Sequence, residues 1–117
     1  MNGKFKLNPE LKLRWITALR SGKYVQGTGY LRDINNNYCC LGVLADILDP
    51  EGWVPKPEHS IFQWKPELCE DQYLGRFSNK YLTNGPIPAD IQRALAKKND
   101  FYKKSFLEIA EYIEDNL

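Results

Sequence analysis

Hydrophobic and polar positions first follow a helical period between residues 9 and 21. The apolar positions of this stretch are Leu11, Trp15, Ile16 and Leu19. Asn8 can accept a hydrogen bond from the free amides of a first turn, Pro9 suits the first helical position, and Gly22 suits the residue after a helix. The pattern therefore predicts a helix over residues 9 to 21.

The period changes in the next stretch, KYVQGTGYLRDINNNYCC. The segments YLRD and YCC suit an extended chain, and INNN between them is rich in turn-forming residues, so the pattern predicts a short antiparallel hairpin. A helical period resumes in LGVLADIL and ends before Pro50. Cys39 and Cys40 are therefore expected at a corner between a strand and a helix.

The middle of the chain, EGWVPKPEHSIFQWKPELCEDQYLGRFSNKYLTNGP, has no sustained period. It is too apolar for a flexible linker, and its large apolar residues are Trp53, Ile61, Phe62, Trp64, Tyr73, Leu74 and Phe77. Residues 51 to 86 are therefore predicted to form an irregular, aromatic-rich flap that packs on the core, with room for one short strand.

Two amphipathic segments, IPADIQRALAKKN and SFLEIAEYIEDNL, predict two helices at the end of the sequence. Ser105 and Glu108 have the spacing of a capping box at the start of the second helix. Together the elements predict an α+β fold in a single globular domain over residues 1–117. In this fold a small antiparallel hairpin or sheet packs against three to four helices. The expected core consists of Trp15, Leu19, Leu31, Cys39 or Cys40, Leu41, Leu44, Phe106, Ile109 and Ile113.

Charge and length narrow the class of protein. Sixteen basic and fifteen acidic side chains leave a formal charge of +1, which gives no long-range attraction to nucleic acid or anionic lipid. No apolar run approaches the roughly 18 residues that indicate a membrane span. The start, MNGKFKLNPE, also lacks the apolar core of a secretion signal. We therefore expect a cytoplasmic protein, and its three cysteines are not expected to form a disulfide framework.

Cys40 is a candidate nucleophile, because the free amides and the dipole at the start of a helix favour a thiolate. Cysteine hydrolases of the papain type place their nucleophile at such a position. However, the chain has a single histidine, His59, to act as a base, and KPEHSIF is a weak match to the strand that holds the histidine there. The pattern therefore favours Cys39 and Cys40 as small packed residues, with at most one thiol accessible, over a cysteine-dependent hydrolase or transferase.

A metal site is a further alternative, since four side chains of the types that bind zinc are present. They are Cys39, Cys40, His59 and Cys69. Adjacent cysteines project to opposite sides of an extended chain, and the sequence has no Cys-x-x-Cys or His-x3-His pair. We therefore expect neither a metal site nor a cofactor.

Polar residues are concentrated between the end of the first helix and the hairpin. They are Arg20, Ser21, Lys23, Tyr24, Gln26, Thr28, Arg32 and Asn36. Glycines at 27 and 29 would let backbone amides approach an anion, and an arginine could clamp a phosphate or a carboxylate. The predicted ligand-binding residues are Arg20, Tyr24, Gln26 and Arg32. The alternative is a solvated hairpin in which the glycines serve turn geometry.

Short basic clusters, AKKND and YKKS, flank Phe101 and Tyr102. Lysines beside exposed aromatic rings could touch a nucleic-acid strand, which makes a nucleic-acid-binding regulator a second alternative. Each cluster is short and is followed by the acidic EIAEYIED, and cations near a helix end also explain Lys97 and Lys98. Nucleic-acid binding is therefore not favoured.

Three stretches of the sequence resemble a family of short, uncharacterised bacteriophage and prophage proteins. The stretches are WITALRSGKYVQGTGYLRD, YCCLGVLADIL and LAKKNDFYKKSFLEIAEYIEDNL. They match a Trp-x-x-Ala-Leu-Arg-Ser-Gly helix end with a following Gln and Leu-Arg pair, a Tyr-Cys-Cys-Leu-Gly-Val-Leu corner, and an Asn-Asp pair before a terminal Phe-x-x-Ile-Ala helix. The matching positions are Trp15, Ala18, Leu19, Arg20, Ser21, Gly22, Gln26, Leu31, Arg32, Tyr38 to Leu44, Asn99, Asp100, Phe106, Ile109 and Ala110.

The resemblance implies an origin in a phage or prophage and a location in the host cytoplasm, and it transfers no activity. Small phage accessory proteins often bind a host factor or a defence signal. The leading hypothesis is therefore a non-enzymatic accessory protein that binds a host protein or a small anionic, nucleotide-like ligand, in host takeover or anti-defence. The sequence does not indicate an oligomeric state.

Overall fold

The computed structural model describes residues 5–65 and 87–117 and confirms an α+β fold. In these ranges it has four helices and a five-stranded sheet. The helices are α1 (Pro9–Arg20), α2 (Cys40–Leu48), α3 (Ala89–Asp100) and α4 (Phe106–Asn116). None of the described helices is long and apolar enough to cross a membrane. Four residues singled out in the sequence lie outside the described ranges, namely Cys69, Tyr73, Leu74 and Phe77.

The first and last helices begin at the caps that the sequence predicts. The Asn8 side chain accepts a hydrogen bond from the Leu11 amide at 3.0 Å, and Pro9 is the first helical residue. Ser105 and Glu108 form the reciprocal capping box of α4. The two helices pack against each other, with Trp15 and Ile109 among the fully buried side chains.

The sheet is mixed and consists of short strands. They are β1 (Val25–Gln26), β2 (Arg32–Asp33), β3 (Asn37–Tyr38), β4 (Trp53–Lys56) and β5 (Ile61–Trp64), in the spatial order β1-β3-β2-β5-β4. β1 runs parallel to β3, and the other neighbours are antiparallel. The predicted β2–β3 hairpin is confirmed, and its turn is closed by Asp33 Oδ1, which accepts hydrogen bonds from the amides of Asn35 and Asn37.

The described part of the middle segment, residues 51 to 65, is more regular than its sequence pattern suggests, and the prediction for residues 66 to 86 lies outside the described residues. We predicted an irregular flap with room for one short strand, but residues 53 to 64 form a complete hairpin, β4–β5, around a 3-10 turn at Pro57–His59. Pro55 lies within β4, the edge strand, where a residue without an amide hydrogen is tolerated. The prolines therefore obscure the strand pattern of this hairpin in the sequence. The hairpin joins the rest of the sheet through β5, which pairs with β2.

The corner at Cys39 and Cys40 is a tightly packed joint. Both cysteines are completely buried, and the Cys39 amide donates to the Leu31 carbonyl at 3.2 Å. A Cβ atom at Gly42 would overlap that same carbonyl oxygen, so only glycine lets α2 approach the chain before β2 this closely. The Trp15 indole donates to the Cys40 carbonyl at 3.0 Å and ties α1 to the same joint.

Candidate functional site

Arg20 and Gln26, two of the predicted ligand-binding residues, are used inside the fold. Arg20 Nη2 lies 2.9 Å from Glu114 Oε1, in an exposed ion pair that joins the end of α1 to α4. This hydrogen bond lowers the pKa of Glu114 and raises that of Arg20. The ion pair therefore occupies the charge that was predicted to hold a ligand.

Gln26 joins β1 to the segment between α3 and α4. Its Nε2 donates to Asn99 Oδ1 and to the Lys104 carbonyl, both at 2.8 Å. Its Oε1 accepts from the Phe106 amide at 3.1 Å, which satisfies one of the free donors at the start of α4. The side-chain oxygen and nitrogen of Gln26 are therefore both occupied by the protein itself.

Asn99 is the centre of this polar contact. It is only 1% exposed, and its Oδ1 accepts from the Cys40 amide at 3.2 Å as well as from Gln26. Its Nδ2 donates to the Gly27 carbonyl and to Asp100 Oδ1, both at 2.8 Å. We name the pair the Gln26–Asn99 clasp. Four positions that carry the resemblance described above, at 26, 40, 99 and 100, meet here, and their contacts hold the fold together.

Arg32 lies in very different surroundings. Its guanidinium carbon is 3.9 Å from the ring centroid of Phe62, 5.2 Å from that of Tyr38 and 5.3 Å from that of Trp53. Tyr38 and Phe62 are its cross-strand partners in β3 and β5, so the register of the sheet builds this box. Its hydrogen bonds go to the neutral side chain of Asn36, at 3.0 and 2.6 Å.

A carboxylate completes the arrangement from the helical side. Asp46 on α2 accepts from the Tyr24 hydroxyl at 2.6 Å and from the Trp53 indole at 2.9 Å. The Tyr24 ring in turn meets the Tyr38 ring edge-on at 4.9 Å. We name this group the Arg32 cluster, and its members are Tyr24, Arg32, Tyr38, Asp46, Trp53 and Phe62.

The cluster keeps its two tyrosines protonated. Burial and the nearby Asp46 carboxylate raise the pKa of both Tyr24 and Tyr38, and the positive charge of Arg32 opposes this only in part. For Tyr24 the hydrogen bond to Asp46 adds to the effect. Both hydroxyls therefore stay neutral at physiological pH, where the Tyr24 hydroxyl acts as a donor.

A surface cleft of about 600 Å³ adjoins the cluster and shares Tyr24 and Asp46 with it. It lies between the outer face of α1 and the end of α2. Its lining residues are Leu13, Arg14, Thr17, Ala18, Ser21, Lys23, Tyr24, Asp46, Ile47 and Pro50. Two of these side chains are cations and one is a carboxylate. The volume lies within the range of about 300 to 1,000 Å³ that is typical of small-molecule sites.

Cys40 and His59, the catalytic pair of the alternative enzyme hypothesis, have unlike surroundings. The Cys40 thiol is fully buried and donates weakly to the Leu95 carbonyl at 3.7 Å, and burial raises its pKa well above the ordinary value. His59 lies in the exposed turn between β4 and β5. A nucleophilic thiol needs access and a lowered pKa, and Cys40 has neither. Within residues 5–65 and 87–117 no three side chains of the metal-binding types are grouped to hold a metal ion.

Tyr24 and Arg32 were predicted ligand-binding residues, and the sequence analysis did not name Asp46, the carboxylate that accepts hydrogen bonds from Tyr24 and Trp53. The signal was present but weak, since an acidic residue within the apolar run LGVLADIL has to face away from the core. The sequence pattern also did not indicate that the Gln26 side chain donates a hydrogen bond to Asn99. Nothing local in the sequence marks a contact between residues so far apart along the chain.

Comparison with known proteins places the chain in one family. Residues 7–117 match the model of a family described as a domain of unknown function, DUF8296. Neither the curated proteins nor the solved structures gave a significant match. Because the match covers all but the first six residues of the sequence, the chain belongs to the DUF8296 family.

Proposed function

We propose that this protein is a non-enzymatic accessory protein of a phage or prophage, and that it binds a small anionic, nucleotide-like ligand in the host cytoplasm. The ligand would occupy the cleft beside α1 and reach the Arg32 cluster at its end. A role in host takeover or anti-defence follows from the resemblance to phage proteins. The observation that carries the proposal is the position of Arg32.

Arg32 supports an anionic ligand because its charge has no bonded counter-ion. Within the described part of the chain, its hydrogen bonds go to Asn36 alone, and the ion pairs are those of Arg20 and Lys65. The three surrounding rings hold the guanidinium in one place, so little side-chain entropy is lost when an anion binds. Lys23 and Arg14 add positive charge along the cleft.

Asp46 and the aromatic rings favour a ligand that also carries a flat, hydrogen-bonding ring. Trp53 and Phe62 are half-buried, so each leaves part of its ring accessible for stacking. Each oxygen of the Asp46 carboxylate accepts one hydrogen bond from the protein and has a second lone pair for a ligand N–H group. A nucleotide combines the three features, an anion, a flat ring and exocyclic N–H donors.

A non-enzymatic role is supported by the state of the cysteine pair. The alternative, a cysteine-dependent hydrolase, needs a substrate to reach Cys40, and this thiol is fully buried against the Leu95 carbonyl of α3 and has a raised pKa. In the Arg32 cluster, the pKa of each of the two tyrosine hydroxyls is raised, which makes them poor nucleophiles. The cluster is suited to hold a ligand without transforming it.

Calorimetric titration with a panel of mononucleotides, cyclic mononucleotides and cyclic dinucleotides tests the proposal. We expect at least one nucleotide of the panel to bind. Arg32→Gln should lower its affinity by about tenfold or more, since a charge-assisted contact to an anion is lost. Arg20→Gln is the matched control, because it removes an arginine whose charge is already paired. Asp46→Asn separates the contribution of the base from that of the phosphate group. It should lower the affinity for nucleotides, and the affinity for inorganic phosphate should stay the same or rise.

Two results would contradict the proposal. One is the absence of binding by every nucleotide in the panel to folded wild-type protein. The other is equal loss of affinity in Arg32→Gln and Arg20→Gln, which would mean that the Arg32 cluster is not the site. Circular dichroism of each variant establishes that it is folded before its affinity is compared.

A further inference from the structure

The side chains of Asp46 and Tyr24 present hydrogen-bond acceptors at the end of the cleft. The Tyr24 hydroxyl gives its one proton to Asp46 Oδ2 at 2.6 Å, and the Trp53 indole gives its N–H to Asp46 Oδ1 at 2.9 Å. Neither donor has a second polar hydrogen in its side chain. The groups left for a ligand are therefore the lone pairs of the two Asp46 oxygens and of the Tyr24 oxygen.

The Asp46 carboxylate is both accessible and held in one orientation. Asp46 and Tyr24 line the cleft of about 600 Å³, and both are only partly buried. The two donors that hold the carboxylate come from different elements, since Tyr24 directly precedes β1 and Trp53 is the first residue of β4. A ligand would therefore meet a pair of acceptors that is already oriented, which lowers the entropy lost on binding.

A pair of carboxylate acceptors distinguishes guanine from the other common nucleobases. Guanine carries N–H donors side by side, on N1 and on the exocyclic N2, as the two oxygens of a carboxylate lie side by side. Adenine and cytosine each place one amino group beside a ring nitrogen that is an acceptor, and uracil places one N–H between two carbonyl oxygens. Each of these three bases would bring a lone pair against the Asp46 carboxylate and leave an acceptor without a donor.

We infer that the ligand is a guanine nucleotide, whose N1–H and N2–H groups donate to Asp46 while its phosphate lies against Arg32. This inference rests on the proposed function and narrows it from nucleotides in general to one base. Arg32 and Asp46 contact the same ring, since the guanidinium carbon is 5.3 Å from the Trp53 centroid and Asp46 holds the Trp53 indole nitrogen, so one ligand can reach both. Lys23, which lines the same cleft, is a donor for the guanine O6 atom beside N1.

Calorimetric titration of the wild-type protein with matched nucleotides tests the inference. Guanosine 5′-monophosphate should bind about tenfold or more tightly than inosine 5′-monophosphate, which lacks only the N2 amino group and so loses a hydrogen bond to a charged acceptor. It should bind about a hundredfold or more tightly than adenosine 5′-monophosphate, which also places a lone pair against the carboxylate. Cyclic diguanylate and cyclic diadenylate give the same comparison on a larger ligand.

Substitution of the carboxylate shows whether Asp46 reads the base. Asp46→Asn should abolish the preference for guanosine over inosine monophosphate, because an amide replaces one of the two acceptor oxygens with a donor. Asp49→Asn is the matched control and should keep the preference. Asp49 lies at the end of the same helix, pairs with Lys65 and is not among the residues that line the cleft.

Equal affinity for the guanosine and inosine nucleotides, tighter binding of an adenine nucleotide, or a guanine preference that folded Asp46→Asn retains would overturn the inference. The proposed function would survive each of these results if the bound nucleotide still lost affinity in Arg32→Gln, so the two failures are distinguishable. Absence of binding by every nucleotide would overturn both. The comparison of guanosine with inosine monophosphate uses wild-type protein alone, so it decides the question even where Asp46→Asn does not fold.

Discussion

The Gln26–Asn99 clasp and the Arg32 cluster are both built around polar side chains that the sequence marks as candidate ligand contacts, and their bonding differs. In the clasp, the amide groups of both residues bond to backbone or side-chain atoms of the protein, including the amides of Cys40 and Phe106. In the cluster, Arg32 is enclosed by rings, and among the described residues its side chain donates hydrogen bonds to Asn36 alone. The hydrogen bonds of the clasp join elements of the fold, whereas the Arg32 cluster holds a cation without an ion-pair partner among the described residues, as the proposed ligand site requires.

The difference shows which polar residues can be assigned a ligand. A side chain whose donors and acceptors are all satisfied within the fold can bind a ligand only by breaking those contacts. A guanidinium positioned by neighbouring rings keeps free N–H groups. Residue type alone does not separate the two cases, since Arg20 and Arg32 are identical in chemistry and only Arg20 has an ion-pair partner among the described residues.

Of the substitutions compared here, Gly42→Ala should lower the stability of the fold the most. The added methyl group would overlap the Leu31 carbonyl, so α2 would be displaced from the joint next to the clasp. We expect the free energy of unfolding to fall by more than about 3 kcal/mol. Urea denaturation measures it, and Gly22→Ala is the control. Gly22 has φ +78° with open space around it. Gly22→Ala should therefore lower the free energy of unfolding through backbone strain alone, by about 1 to 2 kcal/mol.

Asn99→Ala should follow in size. It leaves the Cys40 amide and the Gln26 side chain without their buried acceptor, which should lower the free energy of unfolding by about 2 to 3 kcal/mol. Asn116→Ala, which removes a single exposed hydrogen bond to the Tyr112 carbonyl, is the control in the same urea titration. Near-equal stability of the two variants would contradict the structural role of the clasp.

Burial of the two thiols at the joint should make the free energy of unfolding depend on pH. Burial raises the pKa of Cys39 to about 12, from an ordinary value of 9.0, and raises that of Cys40 as well. Folding therefore favours the protonated thiols. Their contribution is complete below the unfolded pKa and is lost as the pH rises from about 9 towards 12.

The double variant Cys39→Ala, Cys40→Ala isolates this effect. Over the alkaline range, the wild-type free energy of unfolding should fall more steeply than that of the variant, by up to about 1.4 kcal/mol per pH unit for each buried thiol. Parallel pH profiles would contradict burial of the thiols. Rapid alkylation of Cys40 by iodoacetamide in the folded protein at neutral pH would also contradict it, and would restore the cysteine-dependent enzyme as the better hypothesis.

Arg32→Gln should have the smallest effect on stability and a large effect on ligand binding. Loss of the contacts with the rings should lower the free energy of unfolding by about 1 kcal/mol. The thermal unfolding midpoint, compared with that of Asn99→Ala, measures the contrast directly. A loss of stability as large as that of Asn99→Ala would show that the Arg32 cluster, like the clasp, is chiefly structural.

The sequence predicted the helices well because their signals are local. Asn8 and the Ser105–Glu108 pair bond within a few residues of themselves, and apolar spacing alone identifies the buried face of α1. The β4–β5 hairpin was missed because its prolines are acceptable only at the edge of the sheet. Whether β4 is an edge strand depends on strand order, which the local pattern does not contain.

By itself, the sequence determined the α+β class, the caps of the first and last helices, part of the core and the set of polar residues from which the candidate site was drawn. Only the tertiary structure divided that set, pairing Arg20 with Glu114 and Gln26 with Asn99 while Tyr24 and Arg32 joined Asp46. The reason is physical: capping and periodicity act over one or two helical turns. The partner of a polar side chain is chosen by which distant elements pack beside it, here across 73 residues from Gln26 to Asn99.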